Sequence, residues 1–285
     1  MAAIASRPLL LIRPAVLPGF GMSLGVSSFF ITLIILFPVS ALFAYSAELS
    51  LTQYWQAITD PRVLASYRVT LSAALYATLA SVLIGLLLAW VTVRYDFAGR
   101  RLLDTLIDLP FALPTAVAGL TLSVLLAPSG WVGQWFDAVG IKIAYAYPGI
   151  VIAMTFTSLP FVVRTLQPVL QDFAKEVEEA ARTLGASRTQ IFWRVILPTL
   201  IPALFTGGAQ SFIRSLGEFG AVVMIAGNIP FRTEVSSLMI FVRLQEFEYP
   251  AAAAIATVIL LTSLLLMFGL YVLQGRVLRW QRSAG

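Results

Sequence analysis

Residues 69–93 read VTLSAALYATLASVLIGLLLAWVTV, a run without a single Asp, Glu, Lys or Arg. A helix needs about 20 apolar residues to cross the hydrocarbon core of a bilayer. Outward from this run the same pattern recurs at Pro14–Ala47, Leu109–Phe136, Ile143–Val163, Val195–Ile213 and Ala251–Gly275. One such run could be a buried core helix. Six, with the charges confined to the gaps, leave no surface for a soluble fold. The sequence therefore predicts an all-α integral membrane protein with six transmembrane helices, at 24–46, 69–93, 106–127, 146–166, 202–226 and 251–273.

Composition agrees. Of 285 residues, 59% are hydrophobic and 12% charged, against about 25% charged in a soluble domain. There is no histidine and no cysteine. That removes His-based acid–base catalysis, thiol nucleophiles, disulfides and His or Cys metal sites. No catalytic or metal-binding residue is expected. The only lysines are Lys142 and Lys175, and neither follows a glycine, so no GK[ST] phosphate loop can be formed. The first apolar run exceeds the 7–15 residues or so of a signal-peptide core and reads as a retained span.

Basic residues set the orientation. Arg7 and Arg13, then Arg94, Arg100 and Arg101, then Arg164, Lys175, Arg182, Arg188 and Arg194, and finally Arg276, Arg279 and Arg282 fall on one side, 13 of the 19. Arg62, Arg68, Lys142, Arg232 and Arg243 fall on the other, and Arg214 lies inside a span. Both termini are thus expected in the cytoplasm, with tails at 1–23 and 274–285 flanking a transmembrane domain at 24–273. The net charge of +5 reads as orientation signal and lipid-headgroup contact. No nucleic-acid partner is expected. Trp131 and Trp135, just beyond the third span, suit the membrane interface.

The long cytoplasmic loop carries a second pattern. Phe173, Ala174, Val177, Ala180, Ala181 and Leu184 recur as one helical stripe, with Glu176, Glu178, Glu179 and Arg182 off it. Gly185 follows as a C-terminal cap, and Ser187 with Gln190 forms a capping box for a second helix that should end at Pro198. A short amphipathic helix must bury its stripe against its own bundle, the lipid surface or a partner's groove.

Glu179-Ala180-Ala181, three residues, Gly185, nine residues and Val195-Ile196-Leu197-Pro198 resemble the EAA loop of ABC importer permeases, with Val195 where the pattern has Ile. The resemblance implies a type I ABC importer permease fold, with this loop (173–198) docking a separate ATPase subunit. It assigns coupling to Glu178, Glu179, Ala180, Ala181, Leu184 and Gly185. The missing phosphate loop then has a reason: no cofactor is bound by this chain, and ATP-Mg is used by the partner ATPase.

Arg214 and Glu218 interrupt the fifth span four residues apart, on the face that carries Gly207, Ser211 and Ala221. A charge at the bilayer centre costs about 2.5–3.5 kcal/mol on insertion scales, so two of them need a reason. The pair fixes helix packing internally, or Arg214 and Ser211 line an anion's route with Glu218 moderating the field, or the two charges face the lipid. The stretch Ser211–Ala221, with Gly227-Asn228-Ile229-Pro230 and Thr233-Glu234-Val235, resembles permeases for sulfate, thiosulfate, molybdate and tungstate. The stretches 17–20, 108–122, 161–165 and 238–247 resemble the T (or U) subunits of sulfate/thiosulfate importers. The resemblance implies a second permease of W type, two ATPase copies and a periplasmic sulfate/thiosulfate-binding protein as partners. It also implies a bacterial inner or plastid-type membrane as the location. Molybdate or tungstate is the alternative cargo, and a stand-alone anion carrier or channel the alternative class. Residues 235–247 are too short to span. They read as an amphipathic helix resting on the bundle, as part of the surface that receives the binding protein, or as both.

Overall fold

A computed structural model describes residues 19–283. The tail bearing Arg7 and Arg13 lies outside the described residues, as do the side chains of Arg276, Arg279 and Arg282. The described residues form helices and connections, with no strand among them.

The helices are α1 (Phe20–Ser46), α2 (Leu51–Thr59), α3 (Pro61–Arg94), α4 (Arg100–Ile107), α5 (Leu109–Ala112), α6 (Thr115–Leu126) and α7 (Gly133–Asp137). They continue as α8 (Tyr147–Asp172), α9 (Lys175–Thr183), α10 (Arg188–Leu216), α11 (Gly220–Ile225), α12 (Ser236–Gln245) and α13 (Tyr249–Ser283). Five are long and apolar enough to cross a membrane: α1, α3, α8, α10 and α13 over Tyr249–Val272. α6 is a shorter apolar helix. The backbone of α13 runs on unbroken through the segment read as a C-terminal tail.

The centre is a three-helix contact of α3, α8 and α10. Ala73, Ala77, Ser81, Gly85 and Ala89 place a small buried residue at every fourth position of α3. In lipid, where apolar side chains gain little from leaving the solvent, close backbone approach drives association. A Cβ on Gly85 would stand 2.8 Å from the Val162 side chain, and one on Gly207 would meet the Val162 backbone at 3.0 Å. Val162 is thus wedged between two glycines. Phe20–Ile31 of α1 buries no residue, as a lipid-facing segment permits.

Two expected spans are interrupted. The third, read as one helix over 106–127, breaks at Asp108 and again at Leu113–Pro114. Leu113, held before a proline, is extended (φ −90°, ψ 137°). The continuous piece α6 has 12 residues, about 18 Å at 1.5 Å per residue, short of the hydrocarbon thickness of about 30 Å. The fifth, read as 202–226, begins earlier at Arg188 and ends at Leu216, and α11 starts after Gly217–Phe219. Ala221 therefore does not extend the Ser211–Arg214 face; it opens α11. The two interrupted segments pack on each other, for a Cβ on Gly119 would lie 2.2 Å from the Ala221 carbonyl oxygen.

The helix expected to stop at Pro198 continues through it. The five residues before Leu197, Phe192–Ile196, form a wide π-helical turn. Proline lacks an N–H and its ring crowds the preceding turn; widening that turn makes room. The same device precedes Pro38, after the π turn Thr32–Leu36.

Candidate functional site

α9 stands at the end of the bundle where α3 finishes with Arg94. Its C-terminus is a Schellman cap. The Ala186 N–H bonds to the Ala181 carbonyl at 3.0 Å and the Gly185 N–H to that of Arg182 at 2.9 Å. Gly185 has φ +85° with open space around its Cα. A side chain there meets no neighbour but costs about 1–2 kcal/mol of backbone strain. Gly185→Val is accordingly expected to loosen the 175–198 loop while Gly185→Asn keeps it, read by limited proteolysis of the loop. The predicted capping box forms: Ser187 Oγ accepts from the Gln190 N–H at 3.3 Å, and the Ser187 N–H donates to Gln190 Oε1 at 2.8 Å. Ser187→Ala should cost about 1 kcal/mol at the start of α10, checked by hydrogen exchange over residues 187–191.

The predicted stripe divides. Phe173 and Ala181 pack against a core of Ile191, Leu170 and Leu166, and Ala174 is exposed. Val177, Ala180 and Leu184 face outward, Leu184 with 89% of its surface exposed. Glu179 is exposed beside them, whereas Glu178 turns inward and pairs with Arg94 at 2.7 Å. Of the six coupling candidates, then, Glu179, Ala180, Leu184 and Gly185 share the open side, Ala181 is half-buried, and Glu178 is tied to α3.

In the interior, Ser211 donates to Ser158 at 2.9 Å, and the Ser158 and Ser81 hydroxyls lie 3.1 Å apart. Three buried hydroxyls thus join α10, α8 and α3. Arg214 Nη1 lies 2.7 Å from Glu218 Oε2, as the four-residue spacing predicts. Glu218 sits beyond the helix, in the break before α11, and is 2% exposed. Its other oxygen, Oε1, accepts the Ala221 N–H at 2.9 Å, so the carboxylate also caps α11. Its backbone carbonyl accepts from Ser237 at 3.0 Å. Arg214 keeps 31% of its side chain exposed.

Near α9, Arg164 was legible only as an orientation residue. Its guanidinium binds Asp104 and Asp108 in ion pairs and donates to Gln167. The Gln167 amide in turn donates to Asp104 and Thr92, each at 2.9 Å. Thr92, Asp104, Arg164 and Gln167 line a cavity of about 680 Å³ with Arg100 and Arg101. The hydrogen bond from Gln167, then Arg164, holds the Asp104 carboxyl below the usual carboxylate range. A group depressed in the folded state adds stability above its ordinary titration and loses it on acidification. The network should persist at neutral pH and weaken below about pH 4, which a pH series of thermal unfolding with Asp104→Asn as control would read. About 50 Å away, at the far end of α3, Arg62 binds Glu234 through two bonds of 2.7 Å. There α12 rests on α13 and α3, with Leu238 and Met239 buried.

The model of the binding-protein-dependent transport system inner membrane component family matches residues 81–283. The chain is 58% identical to "Sulfate transport system permease protein CysT" of Escherichia coli (strain K12), over 97% of each chain. It is 48% identical to the protein of that name from Synechocystis sp., over 87% of each. Among solved structures, it superposes on a chain of a bacterial alginate ABC transporter in complex with alginate pentasaccharide-bound periplasmic protein. That match has a TM-score of 0.74, 18% identity, and covers 90% of this chain and 94% of the other. A chain of the inward-facing MetNI methionine ABC transporter matches with a TM-score of 0.56 and 17% identity over 80% and 99%. At such identities the likeness is one of fold, and it is the fold of ABC importer permeases. With a family model over most of its length and relatives near 50% identity beside the helical architecture, this chain belongs to the inner membrane components of binding-protein-dependent transport systems.

Proposed function

We propose that this chain is the T-type permease subunit of an ATP-driven importer of sulfate and thiosulfate. It forms half of the translocation pathway and couples to a separate ATPase through α9. The observation that carries the reading is α9 itself. Its C-terminus is closed by the Schellman cap, the capping box of Ser187 starts the next helix, and Glu179, Ala180 and Leu184 are left on an open face that its own bundle does not cover. An apolar face rimmed by charge suits a partner's groove. The cargo is supported by relatives that carry the name of sulfate permeases.

On this reading a W-type permease pairs with this chain, two ATPase copies bind from the cytoplasm, and a periplasmic binding protein delivers the anion. ATP and Mg²⁺ act on the ATPase; this chain contributes no catalytic or metal-binding group. ATPase closure displaces α9 and opens the cavity outward, and hydrolysis resets it. The α9 end, with both termini, is cytoplasmic in a bacterial inner or plastid-type membrane. The six-span domain occupies 24–273, between tails at 1–23 and 274–285. Arg214, Glu218 and Ser211 lie beside the pathway, the ion pair acting first as an internal fastening.

The test is uptake of labelled sulfate in a permease-null strain carrying this chain, with and without excess molybdate. Restored uptake that molybdate does not suppress supports the assignment. Suppression by molybdate would extend the cargo to other tetrahedral oxyanions, and no restored sulfate uptake would overturn the assignment.

A further inference from the structure

Glu178 is the one carboxylate of α9 drawn out of solvent. It meets Arg94, the last residue of α3, with the two side chains 14% and 12% exposed. The Arg94 guanidinium lies over two rings, Trp90 of α3 at 5.5 Å and Phe173, the residue that leads into α9, at 5.7 Å. Trp90 in turn meets Phe192 edge-to-face at 5.5 Å, at the start of the wide turn in α10. Three parts of the chain thus converge on one cation, the end of α3, the α8–α9 link and α9, and the first turns of α10 join them through Trp90.

We propose that Arg94 and Glu178 are positioning residues that carry the displacement of α9 directly into α3, beside the covalent route through Gly185 into α10. The inference rests on the reading of α9 as the coupling helix. The covalent route passes through a left-handed glycine without side-chain contacts, a compliant joint. The charge pair is the stiffer path. Exclusion of water reduces screening between the two charges, and the two rings also attract the cation. The contact at 2.7 Å is Coulombic: the Arg94 Nη2 and Glu178 Oε1 atoms make no aligned hydrogen bond. α3 is also the helix whose small-residue stripe packs against α8 and α10, so force delivered at Arg94 reaches the centre of the bundle.

The experiment is a double-mutant cycle on the complete transporter in proteoliposomes, reading sulfate taken up per ATP hydrolysed and copurification of the ATPase. Arg94→Gln, Glu178→Gln and the double variant are each expected to lose about tenfold in uptake per ATP, the double losing no more than either single. Arg94→Lys, which keeps the charge, stays near the wild-type ratio, and the ATPase copurifies with all four. A ratio normalised to hydrolysis is insensitive to a variant that merely folds in lower yield. Single variants with the wild-type ratio, or losses that multiply in the double, would overturn the proposal while leaving α9 as the docking helix. Failure of the ATPase to copurify with the wild-type chain would overturn the coupling-helix reading, and the tie with it.

Discussion

Glu179→Arg is expected to abolish sulfate uptake while the chain still inserts in the membrane. Glu179 is exposed on α9 and, among the described residues, makes no ion pair, so reversing its charge removes no internal contact. On the open face it would meet the ATPase. A like-charge encounter in an interface costs several kcal/mol, enough to lower assembly by more than about a hundredfold. The measurement is uptake together with ATPase copurification. Both should fall while the amount of chain in the membrane is unchanged. Normal uptake would remove the coupling role from Glu179.

The second large effect is asymmetric. Arg214→Ala leaves the Glu218 carboxylate 2% exposed and without its counter-charge. Breaking a buried pair in this way costs about 3–5 kcal/mol. Glu218→Ala leaves Arg214, which keeps 31% of its side chain exposed, and removes the cap on Ala221; the penalty should be smaller, nearer the cost of a lost cap at about 1 kcal/mol. The double variant should recover most of what Arg214→Ala loses. Thermal unfolding of the detergent-solubilised chain reads the order Arg214→Ala least stable, then the double, then Glu218→Gln, which keeps an acceptor for Ala221. Because the pair acts first as a fastening, the double variant should still transport sulfate. If it is stable yet inactive, Arg214 acts on the passing anion instead.

Much of this architecture is legible in the sequence because lipid imposes simple rules. Long runs without charge become α1, α3, α8, α10 and α13. Capping chemistry is equally local, and Gly185, Ser187 and Gln190 behave as their types demand. What composition could not reveal is where a run breaks. Leu113–Pro114 and Gly217–Phe219 interrupt apolar stretches that hydropathy counts as continuous. Conversely, Pro198 reads as a stop, yet the helix passes through because the turn before it widens. The face taken by Glu178 was hidden for another reason. Its partner Arg94 lies far off in sequence, and only the packing of α3 beside α9 brings them together. The small residues at every fourth position from Ala73 to Ala89 mark the face of α3 that α8 and α10 approach, and they carry no sign of α9.

The central claim is that this chain moves an anion only as part of an ATP-driven assembly. The most direct measurement is sulfate uptake into proteoliposomes holding the purified chain alone, then with its partner permease, the ATPase and the binding protein, each with and without ATP. The account predicts uptake only in the complete assembly and only with ATP. Uptake by the chain alone, without ATP, would contradict it and make the protein a stand-alone anion carrier.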